Sequence, residues 1–437
     1  MDHCTRKLLG LTDENLFFEE EWLETIEEEG VRTNLIHAKL SYILSHCRKC
    51  GIKNEGQIIK NGSHKTKVQL LPYRATKTEL RLVRTRFYCK ECQSTFNAQT
   101  NLVDENCYLS KELKVQIALE LAKNTTRKEI ADRYFVSDVT VLRVLHTCLK
   151  TYHPRFDTLP SVLCFDEFKS MKSCSGKMSF VFMNGQTQQL IGVLENRRLA
   201  FLKPYFLKFT RKARANVKYV VMDMNAPYFE LVKAVFPNAK IVTDRFHIVQ
   251  QITRALNQLR MKTMNSFQKT EPTKYRRLKR FWKLLLKHAY DLDSSNYQYD
   301  RSFRRPMTQK AIIDELLSYD EQLTRAYETC QLLLYHFKHK DSQSFFDTIN
   351  SLDQRLPQWF CKKLTFLNKY KSGIQYALKT RYSNGALEGT NDKIKVIKRV
   401  AYGYRNFHNF RARIYGSIIY GTDESELILQ PHFYFRY

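Results

Sequence analysis

The apolar positions of this chain change period several times, and each change marks a segment. Between Lys111 and Lys150 the spacing is helical. One helix is expected over Lys111–Lys123 and a second from about Thr126, carrying Ile130 and Ala131 inward. A third, Asp138 to Lys150, buries Val141, Val144 and Leu145. Phe135-Val136-Ser137 makes the turn before the third helix, where the Ser137 hydroxyl can accept an amide hydrogen bond. This is the pattern of a helix-turn-helix over 105–150, with Thr140 and Arg143 as groove-facing residues. After Pro160 the period shortens to that of strands. SVLCFDEFKS, KMSFVFMNG and QQLIGVLEN succeed one another at hairpin spacing. VKYVVMDMN and AKIVTD are two more buried runs, joined by the helical YFELVKAVF. From His247 to about Leu378 four stretches again have helical period.

Three strands in succession followed by βα units predict an α/β domain over 155–437: a mixed sheet flanked by helices. The order matches an RNase H-like core with a helical insertion at about 250–380. Within that insertion KYRRLKRFWKLLLK interleaves cations with aromatics. It reads equally as a DNA grip or as an amphipathic helix with Trp282 in the core.

Ahead of the helices, CRKC places Cys47 and Cys50, and CKEC places Cys89 and Cys92. Two Cys-x-x-Cys knuckles separated by strand-like sequence can set four thiolates around one Zn²⁺, so 35–100 reads as a zinc ribbon. Gly51 follows the first knuckle, where the turn needs its backbone freedom. His46 is a lesser candidate ligand. Residues 1–34 form an acidic extension. Its core, DENLFFEEEWLETIEEE, has Phe17, Phe18, Trp22 and Ile26 at helix-like spacing and predicts a short amphipathic helix.

Charge then narrows the partner. Lys and Arg number 72 against 44 Asp and Glu, a formal net charge of +28, which points to a polyanion, nucleic acid before membrane. The opening sequence lacks an apolar signal core, and no run of about 18 apolar residues suggests a span. The expected location is the bacterial cytosol, with no membrane partner. Eleven cysteines there argue for free thiols or metal ligation.

The carboxylates supply candidate chemistry. Asp166 lies on the first strand of the core, and its neighbour Glu167 must face the other way. Asp223 ends the fourth strand, at the edge where open sheets place ligands. Glu388 opens an amphipathic helix in SNGALEGTNDKIKVIKR, with Asp392 as the competing acid. Three converging carboxylates can hold two Mg²⁺ (or Mn²⁺) ions, the arrangement that activates one oxygen and stabilises another in phosphoryl transfer. Lys393, Lys395, Lys398 and Arg399 follow as candidate DNA contacts. Asp244 and His247 are auxiliary candidates; Asp244 can also be read as a helix cap.

The motifs CRKCG, RFYCKEC, FDEF, VVMDMNAPY, FPNAKIVTDRFHIVQ and SNGALEGTNDKIKVIKR with AYGYRNF, in this order, resemble the transposases of the insertion-sequence L-three family. The resemblance covers nearly the whole chain after residue 40. Arg48 stands where the first knuckle more commonly has Pro, which leaves the four thiols intact. The likeness implies a DNA transposase with metal-binding Asp166, Asp223 and Glu388. Such an enzyme binds terminal inverted repeats, cleaves and joins double-stranded DNA at transposon ends and target, and works as a homodimer or larger assembly. DRFH resembles an Asp-x-x-His signature of related transposases. Two other expectations remain: a catalytically inactive DNA-binding regulator, and a nuclease of the same fold that does not join strands.

Overall fold

The structure is a computed structural model that describes residues 1–150 and 155–419. It divides into two compact units, Met1–His153 with Lys393–Tyr437, and Pro154–Asp392.

The first unit opens with α1 (His3–Leu8) and a six-stranded sheet. The strands are β1 (Leu16–Phe17), β2 (Leu23–Glu28), β3 (Val31–Leu40), β4 (Ile58–Gln69), β5 (Lys77–Cys89) and β6 (Thr95–Asn97). Their order is β1-β3-β5-β4, with β2 added to β3 and β6 to β5. The acidic segment is therefore not a helix. Leu23–Glu28 pairs antiparallel with Val31–Ile36. Glu29 (φ 52°) and Gly30 (φ 75°) link them, both left-handed, as a two-residue hairpin turn requires. Phe18 and Trp22, which suggested a helical stripe, pack instead against the sheet's core, while Phe17 is exposed. Residue 34, where the acidic extension is expected to end, falls inside β3.

The helices that follow are α2 (Lys111–Ala122), α3 (Arg127–Arg133) and α4 (Asp138–Lys150). Each starts on a hydroxyl: Ser110 accepts from Leu113 N–H, Thr126 from Glu129 N–H and Ser137 from Thr140 N–H, at 3.2, 3.0 and 3.1 Å. Phe135 takes φ 54° in the turn between α3 and α4. Gln69, at the end of β4, donates to the Tyr134 and Phe135 carbonyls at 2.8 and 3.0 Å and so ties that turn to the sheet.

The second unit is built on a five-stranded sheet: β7 (Val162–Lys169), β8 (Met178–Asn184), β9 (Leu190–Leu194), β10 (Tyr219–Met222) and β11 (Lys240–Thr243). The order is β11-β10-β7-β8-β9. β7, β8 and β9 are antiparallel; β10 runs parallel to β7 and β11 parallel to β10. α5 (Leu199–Leu207) and α6 (Arg211–Asn216) follow β9, and α7 (Ala226–Val235) links β10 to β11. Phe165, Phe180, Phe182, Phe206, Phe209 and Phe236 fill the core between the sheet and these helices.

Beyond β11 come α8 (Arg245–Thr270), α9 (Pro272–Arg280), α10 (Trp282–Leu285), α11 (Gln309–Leu317), α12 (Glu321–Lys338), α13 (Ser342–Asn350), α14 (Gln358–Thr365) and α15 (Lys371–Lys379). A small hairpin, β12 (Gln298–Asp300) with β13 (Arg305–Met307), interrupts the helices. The basic stretch breaks at Phe281. Leu278 and Leu285 are its buried residues, and Trp282 is 39% exposed, so the core role falls to the leucines.

α16 (Gly385–Val400) and α17 (Phe407–Ile419) complete the described chain. α17 belongs to the first unit, where it packs against α2 and α4. Ala412 joins the core of α2, α3 and α4, and Arg413 donates to the Lys123 and Thr125 carbonyls at 2.8 Å each.

Candidate active site

The parallel strands β7 and β10 bring Asp166 and Asp223 to one sheet edge, and β11 brings Asp244 beside them. Strand alternation separates Asp166 from Glu167. Glu167 turns to the opposite face, where it pairs with Arg197 and accepts the Tyr228 hydroxyl at 2.7 Å. Asp166 accepts the Glu167 N–H on one oxygen and the Asn391 side-chain N–H on the other, both at 2.7 Å.

The DRFH segment sends three side chains to three places. Asp244 precedes α8 but makes no side-chain cap to it. It is 2% exposed and accepts the Asn384 backbone N–H at 3.1 Å. Arg245 donates to the Ala377 and Thr380 carbonyls, fixing the end of α15 and hence the segment leading to Asn384. His247 Nε2 lies 2.6 Å from Asp223 Oδ1. The ligand atoms of Asp223, Asp244 and His247 all lie within 4.8 Å of one another.

Asp166 and Glu388 stand outside that trio yet share its electrostatics. Burial pushes Asp166 up to about 7, with the Asp223 charge adding to the effect. Burial also raises Glu388, and Asp244 and Asp223 raise it further. Burial raises Asp244 as well. For His247 burial opposes the charged ring, but the hydrogen bond to Asp223 and the surrounding carboxylates outweigh it, and His247 titrates above its ordinary value. Asp392, the competing acid, is exposed.

Crowded carboxylates of this kind call for positive charge. Asp244 Oδ2, Thr243 Oγ1, Asn384 Oδ1 and Asn391 Oδ1 are buried oxygens with no donor among the described residues. Two carboxylates and one imidazole with ligand atoms within 4.8 Å of one another fit a divalent cation such as Mg²⁺ or Mn²⁺. Asn384 and Asn391 were absent from the sequence-derived residue set. Their signal was available: with Glu388 they fall at i, i+4 and i+7, one face of a helix.

In the first unit the four thiols converge. Cys47 Sγ and Cys92 Sγ are 3.7 Å apart, and Cys50 Sγ and Cys89 Sγ 3.8 Å. A tetrahedron with Zn–S of about 2.3 Å has an edge of about 3.8 Å, so the cluster has the size zinc requires. The thiols titrate together: the Cys50 backbone N–H lowers Cys47 to about 6, while at Cys50 the Ile52 backbone N–H is outweighed by burial and the neighbouring thiols, which push it up to about 12. Gly51 holds φ 77° in the knuckle. His46 is not a member of the cluster.

The candidate DNA contacts divide. Arg143 is exposed on α4. Thr140 is not groove-facing: it is 3% exposed, and its oxygen lies 2.9 Å from the Ser137 hydroxyl, inside the cap. Lys393 donates to the Ser417 carbonyl at 2.5 Å, which commits it to α17 rather than to solvent. Lys395 and Arg399 are exposed and Lys398 is half-buried.

A family match and one near full-length relative name one class. Residues 163–414 match the family DDE_Tnp_ISL3, described as transposase. The chain is 24% identical over 420 residues to the transposase for insertion sequence element IS1001 of Bordetella parapertussis, covering 90% of this chain and 93% of that protein. It is also 30% identical over 161 residues to a Lactococcus lactis subsp. lactis protein described as an ATP-dependent protease. That match covers 36% of this chain and about half, 52%, of the relative. The family match and the Bordetella relative make the chain a DNA-processing enzyme. The chain belongs to the DDE_Tnp_ISL3 family of insertion-sequence transposases. No helix among the described residues is long and apolar enough to cross a membrane.

Proposed function

We propose that this chain binds the terminal inverted repeats of its own insertion sequence, cuts the DNA there and joins the freed ends to target DNA. The observation that carries the reading is the convergence of Asp223, Asp244 and His247, whose ligand atoms lie within 4.8 Å of one another, with Asp166 and Glu388 near enough for their charges to act on it. The strand order, three antiparallel strands and then two parallel ones on the far side of the first, supports an RNase H-like core. The thiol spacing supports a zinc ribbon, and α2 to α4 with their caps support a helix-turn-helix whose Arg143 meets DNA.

Asp166, Asp223 and Glu388, with Asp244 beside them, would hold Mg²⁺ or Mn²⁺. Such ions, when bound, make an oxygen nucleophile available near neutral pH and stabilise charge on the leaving oxygen. The residues of the chain orient the reaction. His247 fixes Asp223, the Glu167 N–H and the Asn391 amide fix Asp166, and Asn384 holds Asp244. A water oxygen bonds to phosphorus as the bond to the 3′ oxygen breaks, releasing a 3′-hydroxyl. That hydroxyl then attacks a target phosphodiester in the same manner. Both ends must be cut in concert, so a homodimer or larger assembly on DNA is the working form. Its place of action is the bacterial cytosol, with the protein nucleoid-associated when bound.

The direct test is incubation of the full chain with Mg²⁺ and a duplex carrying the element's own end. Nicking at the element boundary, abolished by EDTA and absent on unrelated duplex, is the expected result. Cutting indifferent to the end sequence would favour a general nuclease.

A further inference from the structure

Asn384, Glu388 and Asn391 lie on one face at the start of α16. Both asparagines are buried, at 1% and 6% exposure. Both reach across to β7, where they grip consecutive residues. Asn384 Nδ2 donates to the Phe165 carbonyl at 2.9 Å, and Asn391 Nδ2 donates to Asp166 Oδ2 at 2.7 Å.

These two bonds differ in kind. Asn384 holds main chain and so fastens the segment before α16 to the sheet. Asn391 holds a reacting-site carboxylate. The other Asp166 oxygen accepts the Glu167 N–H at 2.7 Å. The carboxylate therefore has one donor on each oxygen, one from its own strand and one from the helix that carries Glu388. Turning the amide over would set an Asn391 oxygen against an oxygen of the ionised Asp166 with no hydrogen between them, so the metal-binding, deprotonated form of the carboxylate selects the nitrogen. The cost falls on Asn391 Oδ1, which is buried with no donor. A purely structural tether would not need an amide left half satisfied.

We propose that Asn391 is a positioning residue for Asp166: it fixes the plane of that carboxylate so that its remaining lone pairs face a divalent cation shared with the Asp223 and Asp244 cluster. This rests on the reading of the acidic cluster as a metal centre. Glu388 and Asn391 sit on one helix, so a single element delivers one acid and orients another. Residues that orient metal ligands in this way typically carry about 10- to 100-fold in metal affinity.

The test is calorimetric titration of the full chain with Mn²⁺, comparing wild type, Asn391→Leu, Asp166→Asn and the double variant. Asn391→Leu should weaken Mn²⁺ binding about tenfold or more. Its melting temperature in EDTA should stay close to wild type. In cleavage assays it should raise the Mn²⁺ concentration for half-maximal rate and regain most of kcat at saturating Mn²⁺. In the Asp166→Asn background the same change should cost no further affinity, because Asn391 acts through that carboxylate. Should Asn391→Leu melt lower, this cycle still decides, since a general packing defect would weaken binding in both backgrounds. Wild-type affinity in Asn391→Leu, or an equal loss in both backgrounds, overturns the positioning role. Absence of Mn²⁺ binding in wild type would overturn the metal-centre reading and this inference with it.

Discussion

At the residue scale the site is organised by carboxylates that disturb one another. Asp166 is the clearest case, since burial raises it to about 7. A folded-state value above the unfolded one means that the folded protein holds the extra proton between about pH 4 and pH 7. Without metal, this group's contribution to stability therefore falls as pH rises through that window. A divalent cation needs the deprotonated form and reverses the trend. Thermal unfolding in EDTA and in Mn²⁺ at pH 5 and pH 8 checks this: the metal-induced rise in melting temperature should be larger at pH 8. An equal or larger rise at pH 5 would contradict it. The positions of Asp166 within a strand, Asp223 just past one and Glu388 in the first turn of an amphipathic helix were legible in the sequence, because the apolar period fixes those elements. Asp244 was less legible. Its position before α8 suggests a cap, whereas in the fold its carboxylate makes no cap and accepts the distant Asn384 N–H. Thr140 failed for the opposite reason: a hydroxyl on a recognition helix looks exposed until its cap partner Ser137 is seen.

The elements were read well wherever period and punctuation agreed. The strands of the second sheet and the helices α2, α3 and α4 lie close to where apolar spacing placed them. The acidic hairpin was missed because its aromatics mimic a helical stripe, while the deciding feature, two adjacent left-handed residues at Glu29-Gly30, is a backbone property. The return of α17 to the core of α2, α3 and α4 was also illegible, since nothing local in a helix names its distant partner. Two predictions belong here. An ideal Cβ on Gly192 of β9 would lie 2.1 Å from Phe182 Cε1. Gly192→Ala must displace that ring and should cost about 1–3 kcal/mol of stability, measured by denaturant unfolding. A cost near zero would mean that the core has room. The thiol cluster should hold about one zinc per chain, and Cys89→Ser should lose it. Mass spectrometry under native conditions that finds no zinc in the purified chain would contradict the assignment.

The whole molecule carries +28 formal charges. Its DNA affinity should therefore fall steeply with salt, roughly 0.9 in log–log slope per phosphate contact. Arg143→Ala should shallow that slope by about one contact if α4 reads DNA. An unchanged slope would place DNA on another surface. The central claim is that a basic, DNA-gripping chain focuses its chemistry on a few acids, with Glu388 on α16 completing the set. The most direct measurement compares wild type with Glu388→Gln for cleavage and strand transfer in Mg²⁺ on duplex carrying the element's ends. The account predicts that the variant binds those ends as wild type does and performs neither reaction; cleavage at the wild-type rate would contradict it and move the third ligand to another acid.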